Sequence, residues 1–345
     1  MKRIVTFGEI MLRLKSPGRE RLFQSPILEA SFGGGEANVA VSLAMLGMDA
    51  VFVGALSNDA VGDAALRSLR AHGVDVSRVR RVDERTGIYF LEAGADQRAS
   101  QVVYDRSGSA ASAMKAGDFD WAEILAGADW FHVTGITPAL SRSAADACIE
   151  AAVAARAAGA RVSVDLNYRR KLWNYGVKAP QVMPSLVALA DVLVANEEDI
   201  QLSLGIRPES PGADPSKGLV GPEAYRAIAE AAKARFPNLG AVAITLRESR
   251  SADRNGWSAV LLGASGFRGS RAYGLEDIVD RVGGGDAFAA GLIFGLLEYG
   301  DEARSLEFAV AASALKHSIP GDFCLATREE VERLAAGEGS GRVMR

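Results

Sequence analysis

Three glycines followed by an acidic residue occupy positions 283–286, and this run is the strongest chemical signal in the chain. Only apolar residues and glycine follow Asp286 up to Leu297, which predicts a buried helix that begins at the glycines. The backbone N–H groups of the run would converge at the helix N-terminus, where an anion is favoured. A carboxylate beside a bound anion could accept the proton of an attacking hydroxyl. The alternative is that Asp286 only caps the helix.

A second cluster of three glycines lies at positions 33–35 and also precedes a helix-like segment, residues 36–47. One interpretation is a tight turn between a strand and a helix. The other is that bare backbone, with Asn38 one turn into the helix, contacts the hydroxyl groups of a sugar. Neither cluster is a Walker loop, because no Gly-Lys-Ser/Thr sequence follows the glycines. A dinucleotide-binding fingerprint is also missing, because only Gly8 follows the first strand.

Polar side chains stand at the ends of two predicted strands. Asp165 and Asn167 occur in "DLNYR", and Asn196 and Asp199 occur in "ANEED". In open α/β sheets, ligands bind beyond the carboxyl ends of the strands. Oxygen ligands of this kind suit Mg²⁺ that is held largely through water, with phosphates completing its shell. The alternative for each residue is a cap on the helix that follows.

Two arginines, Arg106 and Arg169, each end a strand-like segment. A guanidinium group at such a position can bind a carboxylate through two parallel hydrogen bonds. A surface ion pair is the alternative for each arginine. Tyr89 and Tyr104 lie in alternating segments of residues 86–106, where each tyrosine either faces a ligand or is merely packed.

Strand-like and helix-like segments alternate along most of the chain, which predicts repeated βα units. The strand-like runs of Val, Ile and Ala lack polar alternation, as is typical of parallel strands covered on both faces. We therefore expect a doubly wound α/β sandwich. The predicted strands are 3–8, 49–56, 129–135, 161–167, 190–196 and 241–246, and the predicted helices are 36–47, 58–73, 144–159 and 225–236.

Two segments, 10–32 and 86–106, interrupt this rhythm with hairpin-like alternation and turn residues. We interpret them as a small β-sheet lid that is built from two separated parts of the chain. A proline- and glycine-rich segment, 207–222, is predicted to be a surface loop. The resulting division is a core of residues 1–9, 33–85 and 107–334, a lid of 10–32 and 86–106, and a flexible tail of 335–345.

The overall composition is that of an ordinary globular protein, with 345 residues, 48% hydrophobic and 24% charged. The formal net charge of −4 gives no basic surface for nucleic acid or for an anionic membrane. No uncharged apolar run approaches the roughly 20 residues that a membrane-spanning helix needs. The two cysteines lie in apolar surroundings without metal-type spacing, which predicts reduced thiols and a cytoplasmic location.

Taken together, the motifs resemble the ribokinase-like carbohydrate kinases of the phosphofructokinase-B type. The resemblance rests on "GGGEANVAVSLAMLG", "DLNYR", "ANEED" and "DRVGGGDAFAAG", and it extends from residue 3 to about residue 334. Further stretches resemble the subgroup that acts on 2-keto-3-deoxygluconate: "FGEIMLRL", "GIYFLEAGADQR", "VVYDR", "LNYRRKLW" and "HSIPGDF". The fold that this resemblance implies is a ribokinase-like doubly wound αβα sandwich with a small discontinuous β-sheet lid.

The resemblance implies ATP-dependent transfer of the γ-phosphoryl group to a hydroxyl of the sugar acid, with Mg²⁺. It makes Asp286 the base and the amides of Gly283, Gly284 and Gly285 the anion hole. Around the sugar acid it places Gly34, Gly35, Glu36, Ala37, Asn38, Tyr89, Tyr104, Arg106, Arg169, Asp286 and Asp322. Around ATP it places Asp165, Asn167, Asn196, Thr245, Leu246, Arg247, Glu248, Ser249, Ser251, Gly283, Gly285 and Lys316, with Lys316 near the adenine. The metal ion is assigned to Asn196 and Asp199, through water.

Three positions depart from the family pattern. The acidic residue that ends the metal motif is usually Glu and is Asp199 here, which favours a contact through water. The usual Thr two residues before the first glycine of the turn is Arg281 here, which adds a cation beside the path of the triphosphate. The nucleotide segment reads "TLRESRSADRNGW" and lacks the glycine that commonly follows its leucine.

A sugar acid also follows from the charges, because two arginines that face a pocket without partners would be costly to bury. The carboxylate of the substrate would neutralise them. Other kinases of the same fold remain as alternatives, namely fructokinase, ribokinase and 5-dehydro-2-deoxygluconokinase. More distant alternatives are a sugar-acid sensor without activity and a dinucleotide oxidoreductase. A bare face on the lid sheet predicts self-association through the lid, at least as a dimer.

Overall fold

The computed structural model describes residues 1–196, 198–207 and 222–339. Its strands are β1 (Arg3–Phe7), β2 (Met11–Lys15), β3 (Glu29–Gly33), β4 (Asp49–Ser57), β5 (Val79–Val82), β6 (Ile88–Glu92), β7 (Gln101–Asp105), β8 (Trp130–Thr134), β9 (Arg161–Asp165), β10 (Val192–Asn196), β11 (Ala241–Ser249), β12 (Asn255–Gly263), β13 (Gly266–Gly269) and β14 (Tyr273–Leu275). Its helices are α1 (Gly35–Met45), α2 (Ala60–Arg70), α3 (Trp121–Ile124), α4 (Thr137–Leu140), α5 (Arg142–Ala157), α6 (Ala179–Val187), α7 (Asp199–Leu204), α8 (Pro222–Arg235), α9 (Gly284–Glu298), α10 (Glu302–Lys316) and α11 (Arg328–Ala336).

Within the described residues, a ten-stranded sheet runs in the order β13–β12–β11–β10–β9–β8–β1–β4–β5, with β14 paired to β12. The strands from β11 to β5 are parallel to one another, and β12 adds antiparallel pairs to β11, β13 and β14. Helices separate the parallel strands along the chain, as crossover connections require. This is the doubly wound α/β architecture that the sequence predicts.

The large sheet is buried on both faces, and successive residues of one strand belong to different hydrophobic clusters. In β10, Leu193 packs with residues of α5, α6 and α8. Val192 and Val194 pack instead with residues of α1, α9 and α10. Because side chains alternate across a strand, a strand covered on both faces must be apolar at every position. That requirement explains the unbroken apolar runs of the sequence.

The small sheet has the order β3–β2–β6–β7 and is separate from the large sheet. β2 and β3 form one antiparallel pair and β6 and β7 form another, while β2 and β6 run parallel and join the two hairpins. A single sheet is therefore assembled from two distant parts of the chain, as the alternating segments 10–32 and 86–106 predict. The three-part division into core, lid and tail stays a prediction.

Predicted and observed elements differ at their ends and in several elements that the sequence patterns missed, among them α6 and α10. The strands predicted at 161–167 and 190–196 form β9 and β10, each displaced at one end by two residues. The antiparallel strands β12 to β14 were not predicted, because their mixed apolar and small polar residues give no clear period. The helix α11 continues to Ala336, so the tail predicted to begin at residue 335 overlaps a helix.

Some sequence-based predictions fall outside the described residues. These are most of the proline- and glycine-rich segment 207–222, Glu197 in "ANEED", and the last six residues of the predicted tail, 340–345. In the part of the chain that the structure does describe, none of the helices combines the length and the apolar character needed to cross a membrane.

Candidate functional site

A cavity of about 350 Å³ lies where the carboxyl ends of the parallel strands meet the small sheet. Residues at or just beyond the ends of β1, β8, β9 and β10 line it, together with residues within β11 and residues of β2, β6 and β7. The first turns of α1 and α9 line it as well. Ligands of open α/β sheets bind in this place, beyond the carboxyl ends of the strands.

Asp286 lies in the first turn of α9 and faces this cavity. The N-cap of α9 is Gly283 and no side chain caps it, so the interpretation of Asp286 as a helix cap is wrong. Asn38 Nδ2 donates a hydrogen bond of 2.7 Å to Asp286 Oδ2. Burial raises the pKa of Asp286 to about 6, although this hydrogen bond opposes the increase. A carboxyl with such a pKa is ionised at neutral pH and can accept a proton from a hydroxyl.

The three glycines before Asp286 play different structural parts. Gly283 has a φ of 85°, and a Cβ atom there would stand 2.0 Å from the carbonyl oxygen of Asp322. A Cβ atom on Gly285 would meet no atom within 4 Å. The chain itself therefore requires the first glycine, whereas the third leaves bare backbone open to the cavity. Together with the positive end of the α9 dipole, that backbone suits an anion.

The acidic residue of the other glycine cluster, Glu36, points away from the cavity. Its side chain is fully buried, and its Oε1 atom accepts hydrogen bonds from the Thr134 N–H (3.0 Å), the Thr134 hydroxyl (2.8 Å) and the Thr137 hydroxyl (2.8 Å). Burial raises its pKa to about 7, against these hydrogen bonds. Glu36 and Ala37 are thus not among the residues that line the cavity, contrary to the expectation for a sugar-acid site. Their position in the first turn of α1 turns both side chains inward.

The other members of this cluster do reach the cavity. Gly34, Gly35 and Asn38 line it, and the Asn38 Oδ1 atom accepts a hydrogen bond of 3.2 Å from the Gly34 N–H. A Cβ atom on Gly34 would stand 2.0 Å from the carbonyl oxygen of Glu9. Both interpretations of this cluster therefore have support, since the turn is tight and its backbone also borders the cavity.

The polar residues after β9 and β10 lie together at the same edge of the sheet. Asp199 Oδ1 accepts from the Tyr168 N–H at 3.2 Å and Oδ2 accepts from the Asn196 N–H at 3.3 Å. Asn196 Oδ1 accepts from the Asp199 N–H, at the first residue of α7, at 2.9 Å, but the N-cap position of this helix is Glu198, so Asn196 is not its N-cap. Asp165 Oδ1 accepts from the Asn167 N–H at 3.1 Å in a local turn, and no helix follows directly.

These oxygens form an electronegative edge. Burial raises the pKa of Asp165 well above its ordinary value, and the negative charges of Asp199 and Asp286 raise it further. A cation at this edge would relieve that repulsion. Among the described residues, however, no three His, Cys, Asp or Glu side chains are grouped so that they could ligate a metal ion directly. The oxygen atoms of Asp165, Asn196 and Asp199 are of the kind that Mg²⁺ prefers.

Arg106 is buried beside the small sheet and lines the cavity. Its Nη1 atom donates to Glu9 Oε2 at 2.8 Å, and its guanidinium carbon lies 4.1 Å from the centre of the Tyr104 ring. Its Nε and Nη2 atoms are buried and have no hydrogen-bond partner among the described residues. Arg106 therefore keeps two donor nitrogen atoms for a ligand, even though Glu9 balances its charge.

Arg169 has a different environment from Arg106. It lines the cavity but is exposed, and its Nη1 atom donates to the carbonyl oxygen of Tyr168 at 3.1 Å. The expectation of two buried arginines without partners is therefore wrong on both counts, because Arg106 is paired with Glu9 and Arg169 remains in water. The end of β9 opens into the cavity mouth, which leaves a long side chain there hydrated.

Tyr89 and Asp322, both predicted to contact the sugar acid, line the cavity and bind each other. The Tyr89 hydroxyl lies 2.6 and 2.7 Å from the two carboxylate oxygens of Asp322. Burial and the neighbouring Asp322 charge raise the pKa of Tyr89 well above its ordinary value. The sequence did not point to Arg13, a second partner of Asp322 on the small sheet. In the sequence, Arg13 stands only as a charged residue between Leu12 and Leu14, which gives no signal of its distant partners.

The nucleotide segment predicted over residues 245–251 is largely a strand. Residues 245–249 belong to β11 and pair with β12 in an antiparallel hairpin. Thr245 and Arg247 line the cavity, whereas Leu246, Glu248, Ser249 and Ser251 do not. In a strand, successive side chains point to opposite faces, so only alternate residues can reach one ligand.

Lys316 also lies outside the cavity lining, although the resemblance places it near adenine. It is fully buried, and its Nζ atom donates to the carbonyl oxygen of Ile319 at 2.9 Å. Burial lowers its pKa. Its Cε atom lies 3.3 Å from the place where a Cβ atom of Gly283 would stand, so Lys316 lies behind the glycine turn.

Most predicted site residues thus meet in one cavity, and several others join them. The cavity-lining residues that the sequence-based prediction did not assign to the site are Glu9, Met11, Val102, Ile136, Val194, Ala195, Trp257, Arg281 and Val282. Glu9 and Ile136 follow the carboxyl ends of the parallel strands β1 and β8, which is the signal that would have identified these two. Arg281 was noted only as a departure from the family pattern.

The same fold and motifs occur in known carbohydrate kinases. Residues 1–219 match the model of the pfkB family carbohydrate kinases. A 2-dehydro-3-deoxygluconokinase from Thermotoga maritima has a crystal structure that superposes with a TM-score of 0.90 at 47% identity, over 97% of this chain and 98% of that one. A 2-dehydro-3-deoxygalactonokinase from Haloferax volcanii is 31% identical over 98% of both chains. A candidate ribokinase II from E. coli, solved with ATP and Mg²⁺, shares the fold with a TM-score of 0.75 at 21% identity, over 98% of this chain and 100% of that one.

The fold, the cavity at the carboxyl edge of the sheet and the matching family model define a sugar-phosphorylating class of protein. The chain belongs to the pfkB family of carbohydrate kinases.

Proposed function

We propose that this protein transfers the γ-phosphoryl group of ATP to a hydroxyl of 2-keto-3-deoxygluconate and forms the 6-phosphate. The observation that carries the proposal is the pairing of a cavity-facing carboxylate, Asp286, with an open glycine turn at the N-terminus of α9. The names of the Thermotoga maritima and Haloferax volcanii relatives support a 2-keto-3-deoxy sugar acid as the acceptor.

Asp286 acts as the general base in this proposal. Its carboxylate accepts the proton of the sugar hydroxyl while that oxygen attacks phosphorus. Asn38, which donates to Oδ2, holds the carboxylate in one orientation and leaves Oδ1 for the hydroxyl. Burial raises its pKa to about 6, which makes the group more basic than an exposed Asp and still leaves it ionised at neutral pH.

The glycine turn binds the phosphoryl group as its charge shifts toward the leaving oxygen. The N–H groups at the start of α9 are fixed by the helix before the reaction begins, so they need no rearrangement. Gly285 leaves the backbone uncovered on the cavity side. Arg281, which precedes the turn and lines the cavity, adds positive charge on the same side.

The nucleotide is proposed to lie between the glycine turn and the ends of β10 and β11, where Thr245 and Arg247 line the cavity. Asp165, Asn196 and Asp199 would hold Mg²⁺ through water. When bound, Mg²⁺ neutralises part of the phosphate charge. The ATP and Mg²⁺ in the related E. coli structure support this requirement.

Arg106 is proposed to bind the carboxylate of the sugar acid through its Nε and Nη2 atoms. Both atoms are buried without a partner among the described residues, and a neutral sugar would offer them no charge. The negative charge of Glu9 balances the positive charge of Arg106. Because of this pair, Arg106 can be buried before the substrate binds. Arg169 lies at the exposed side of the cavity, where its side chain stays hydrated until a bound substrate contacts it.

Self-association through the small sheet is part of the proposal. Phe23, Ile27 and Val103, on or beside that sheet, have relative exposures of 69%, 60% and 52%. Exposed apolar side chains grouped on a small sheet are typical of a protein contact. Light scattering would give a mass of at least twice the monomer, and the double variant Phe23→Asp with Val103→Asp would reduce that mass.

We also infer a cytoplasmic location, since both cysteines are free and buried.

The test is ADP release with ATP, Mg²⁺ and a panel of acceptors. We expect turnover with 2-keto-3-deoxygluconate and far less with fructose, ribose or 5-dehydro-2-deoxygluconate. The galactonate epimer belongs in the panel, because the Haloferax volcanii relative carries that name. Turnover of a neutral sugar above that of both sugar acids would replace this proposal by another sugar kinase. Binding of the sugar acid without ADP release would indicate a sensor.

The variant Arg106→Ala tests the substrate class directly. Losing a buried charged hydrogen-bond donor weakens binding by about 2–4 kcal/mol, so KM for the sugar acid should rise strongly. KM for a neutral sugar should change far less. The matched control is Arg85→Ala, because Arg85 pairs with Asp105 at the surface and does not line the cavity. Equal changes for charged and neutral acceptors would refute the role of Arg106.

A further inference from the structure

A buried arginine of the small sheet reaches into the core of the molecule. Arg13 lies in the middle of β2, and only 1% of its side chain is exposed. Its Nη1 atom donates to Asp322 Oδ1 at 2.6 Å, and its Nη2 atom donates to Asp280 Oδ2. Both carboxylates belong to core segments more than 260 residues away along the chain. Arg13 therefore connects the two sheets, rather than neighbouring strands within one of them.

Both partners of Arg13 also fix the glycine turn. Asp280 Oδ1 accepts from the Val282 N–H at 3.1 Å, directly before Gly283. The carbonyl oxygen of Asp322 stands 2.0 Å from the place where a Cβ atom of Gly283 would be, so the Asp322 backbone presses against the first glycine. The arginine thus holds the two segments that shape the turn from either side.

A second link connects Asp280 with the Asp322 segment. Asp280 Oδ2, the atom that receives Arg13, also accepts from the Gly321 N–H at 3.2 Å. On the small sheet, Tyr89 is the direct neighbour of Arg13 in the β2–β6 register, and its hydroxyl bonds to Asp322 as well. The small sheet therefore holds the core loops through two adjacent side chains.

The two carboxylates, Asp280 and Asp322, need the positive charge of Arg13 to be stable where they are. Asp280 and Asp322 are both buried, and two buried carboxylates side by side are unfavourable without a cation. Although burial alone would lower the pKa of Arg13, the negative charges of Asp322 and Asp280 raise it above its ordinary value. Burial raises the pKa of Asp322, and Arg13 opposes that increase. If the small sheet moved away, both carboxylates would lose the guanidinium group that they share, although the charge of Lys316 would still act on both.

We infer that Arg13 is a positioning residue that couples the docking of the small sheet to the alignment of the glycine turn. The N–H groups of residues 283–286 are then correctly placed only while β2 is seated over the cavity. This inference rests on the proposed function for its effect on turnover, but the coupling itself is a property of the fold. A small displacement of catalytic groups can cost on the order of 100-fold in rate.

The first measurement is hydrogen exchange of the peptide that contains residues 280–288. We expect Arg13→Gln to accelerate exchange there, while exchange in α5, on the far side of the sheet, stays at the wild-type rate. Arg13→Lys should give an intermediate result, because an ammonium group can reach only one carboxylate well. Unchanged exchange at the turn would overturn the inference, whether or not the protein phosphorylates a sugar acid.

The second measurement is steady-state kinetics, where Arg13→Gln should lower kcat on the order of 100-fold and leave KM for the sugar acid within a few-fold. Asp280→Asn should give a similar loss, and the double variant should lose no more than either single one. A lower melting temperature with wild-type kcat would make Arg13 merely structural and overturn the inference, as would additive losses.

The matched control is Lys15→Gln. Lys15 lies two residues from Arg13 on the same strand, and its Nζ atom pairs with Glu29 inside the small sheet, at 3.2 Å. Neither the exchange at the turn nor kcat should change in this variant. The same losses in Lys15→Gln would show that any damage to β2 suffices, and would overturn the specific role of Arg13. Acceptor turnover by the wild-type protein separately decides the proposed function.

Discussion

The two clusters of three glycines and an acidic residue look alike in sequence but differ in structure. Both precede a helix, α1 or α9, and the two helices pack against each other beside one cavity. Burial raises the pKa of both acidic residues, to about 7 for Glu36 and about 6 for Asp286. The two acidic side chains differ, however, in the direction in which they point.

Glu36 turns into the core, where Thr134 and Thr137 saturate its Oε1 atom with hydrogen bonds. Asp286 faces the cavity, and within the described residues only Asn38 donates a hydrogen bond to its carboxylate. A carboxylate whose lone pairs are occupied is suited to holding a fold together. One with a free oxygen beside a cavity can accept a proton. The number of partners, rather than the motif, separates structural from chemical roles.

The largest expected effect that tests this contrast is that of Asp286→Asn. The substitution keeps the shape and the contact with Asn38 but removes the base, so kcat should fall by about 10²–10⁴-fold. Melting temperature and ADP affinity should stay close to those of the wild-type protein. Calorimetry, ADP titration and the coupled kinase assay measure these three quantities. Retention of most turnover would show that Asp286, like Glu36, has no chemical role.

The next effect concerns the glycines. Gly285→Ala adds a methyl group to open space inside a helix, so we expect unchanged or slightly higher stability. The methyl group would occupy the place proposed for the phosphoryl group, and turnover should fall on the order of 100-fold. Thermal unfolding combined with kinetics separates the two results. An active Gly285→Ala variant would mean that phosphate does not approach this backbone.

The matched variant in the other cluster is Gly34→Ala. Its methyl group would stand 2.0 Å from the Glu9 carbonyl oxygen, so this variant should lose stability as well as activity. A stable Gly34→Ala variant would contradict the close approach of the chains at this turn.

The smallest effect on turnover is expected for Glu36→Gln. The amide oxygen can still accept from both threonines, but its NH₂ group would face the Glu9 N–H, which donates to Glu36 Oε2 at 3.4 Å. Leaving a buried donor unsatisfied costs about 1–3 kcal/mol of unfolding free energy. The kcat of the folded variant should remain within a few-fold of wild type. A loss of kcat as large as that of Asp286→Asn would give both acidic residues a chemical role.

The pH dependence of the unfolding free energy tests whether Glu36 is buried as the structure shows. Because burial raises its folded pKa from 4.5 to about 7, its protonated form stabilises the fold at low pH. That contribution is fully present below pH 4.5 and is lost as the pH rises toward 7. Relative to Glu36→Gln, the wild-type protein should therefore lose at most about 1.4 kcal/mol per pH unit over this range. Urea unfolding at several pH values measures the difference, and a constant difference would contradict the buried environment of Glu36.

The sequence alone predicted the doubly wound sheet and the separate small sheet, and it indicated that residues 283–286 border the ligand cavity. Those features depend on local patterns, because apolar runs, alternation and glycines act over a few residues. It also indicated most of the residues that line the cavity, since strand ends can be located from the same patterns.

Only the tertiary structure decided which polar groups are free and which are paired. Arg106 binds Glu9, Arg169 remains in water, and Arg13 joins the two sheets through Asp280 and Asp322. Each pairing connects residues that are far apart in the chain, and no local pattern encodes it. Burial and partner geometry set the pKa and the availability of a side chain, and both arise only when the separate segments pack together.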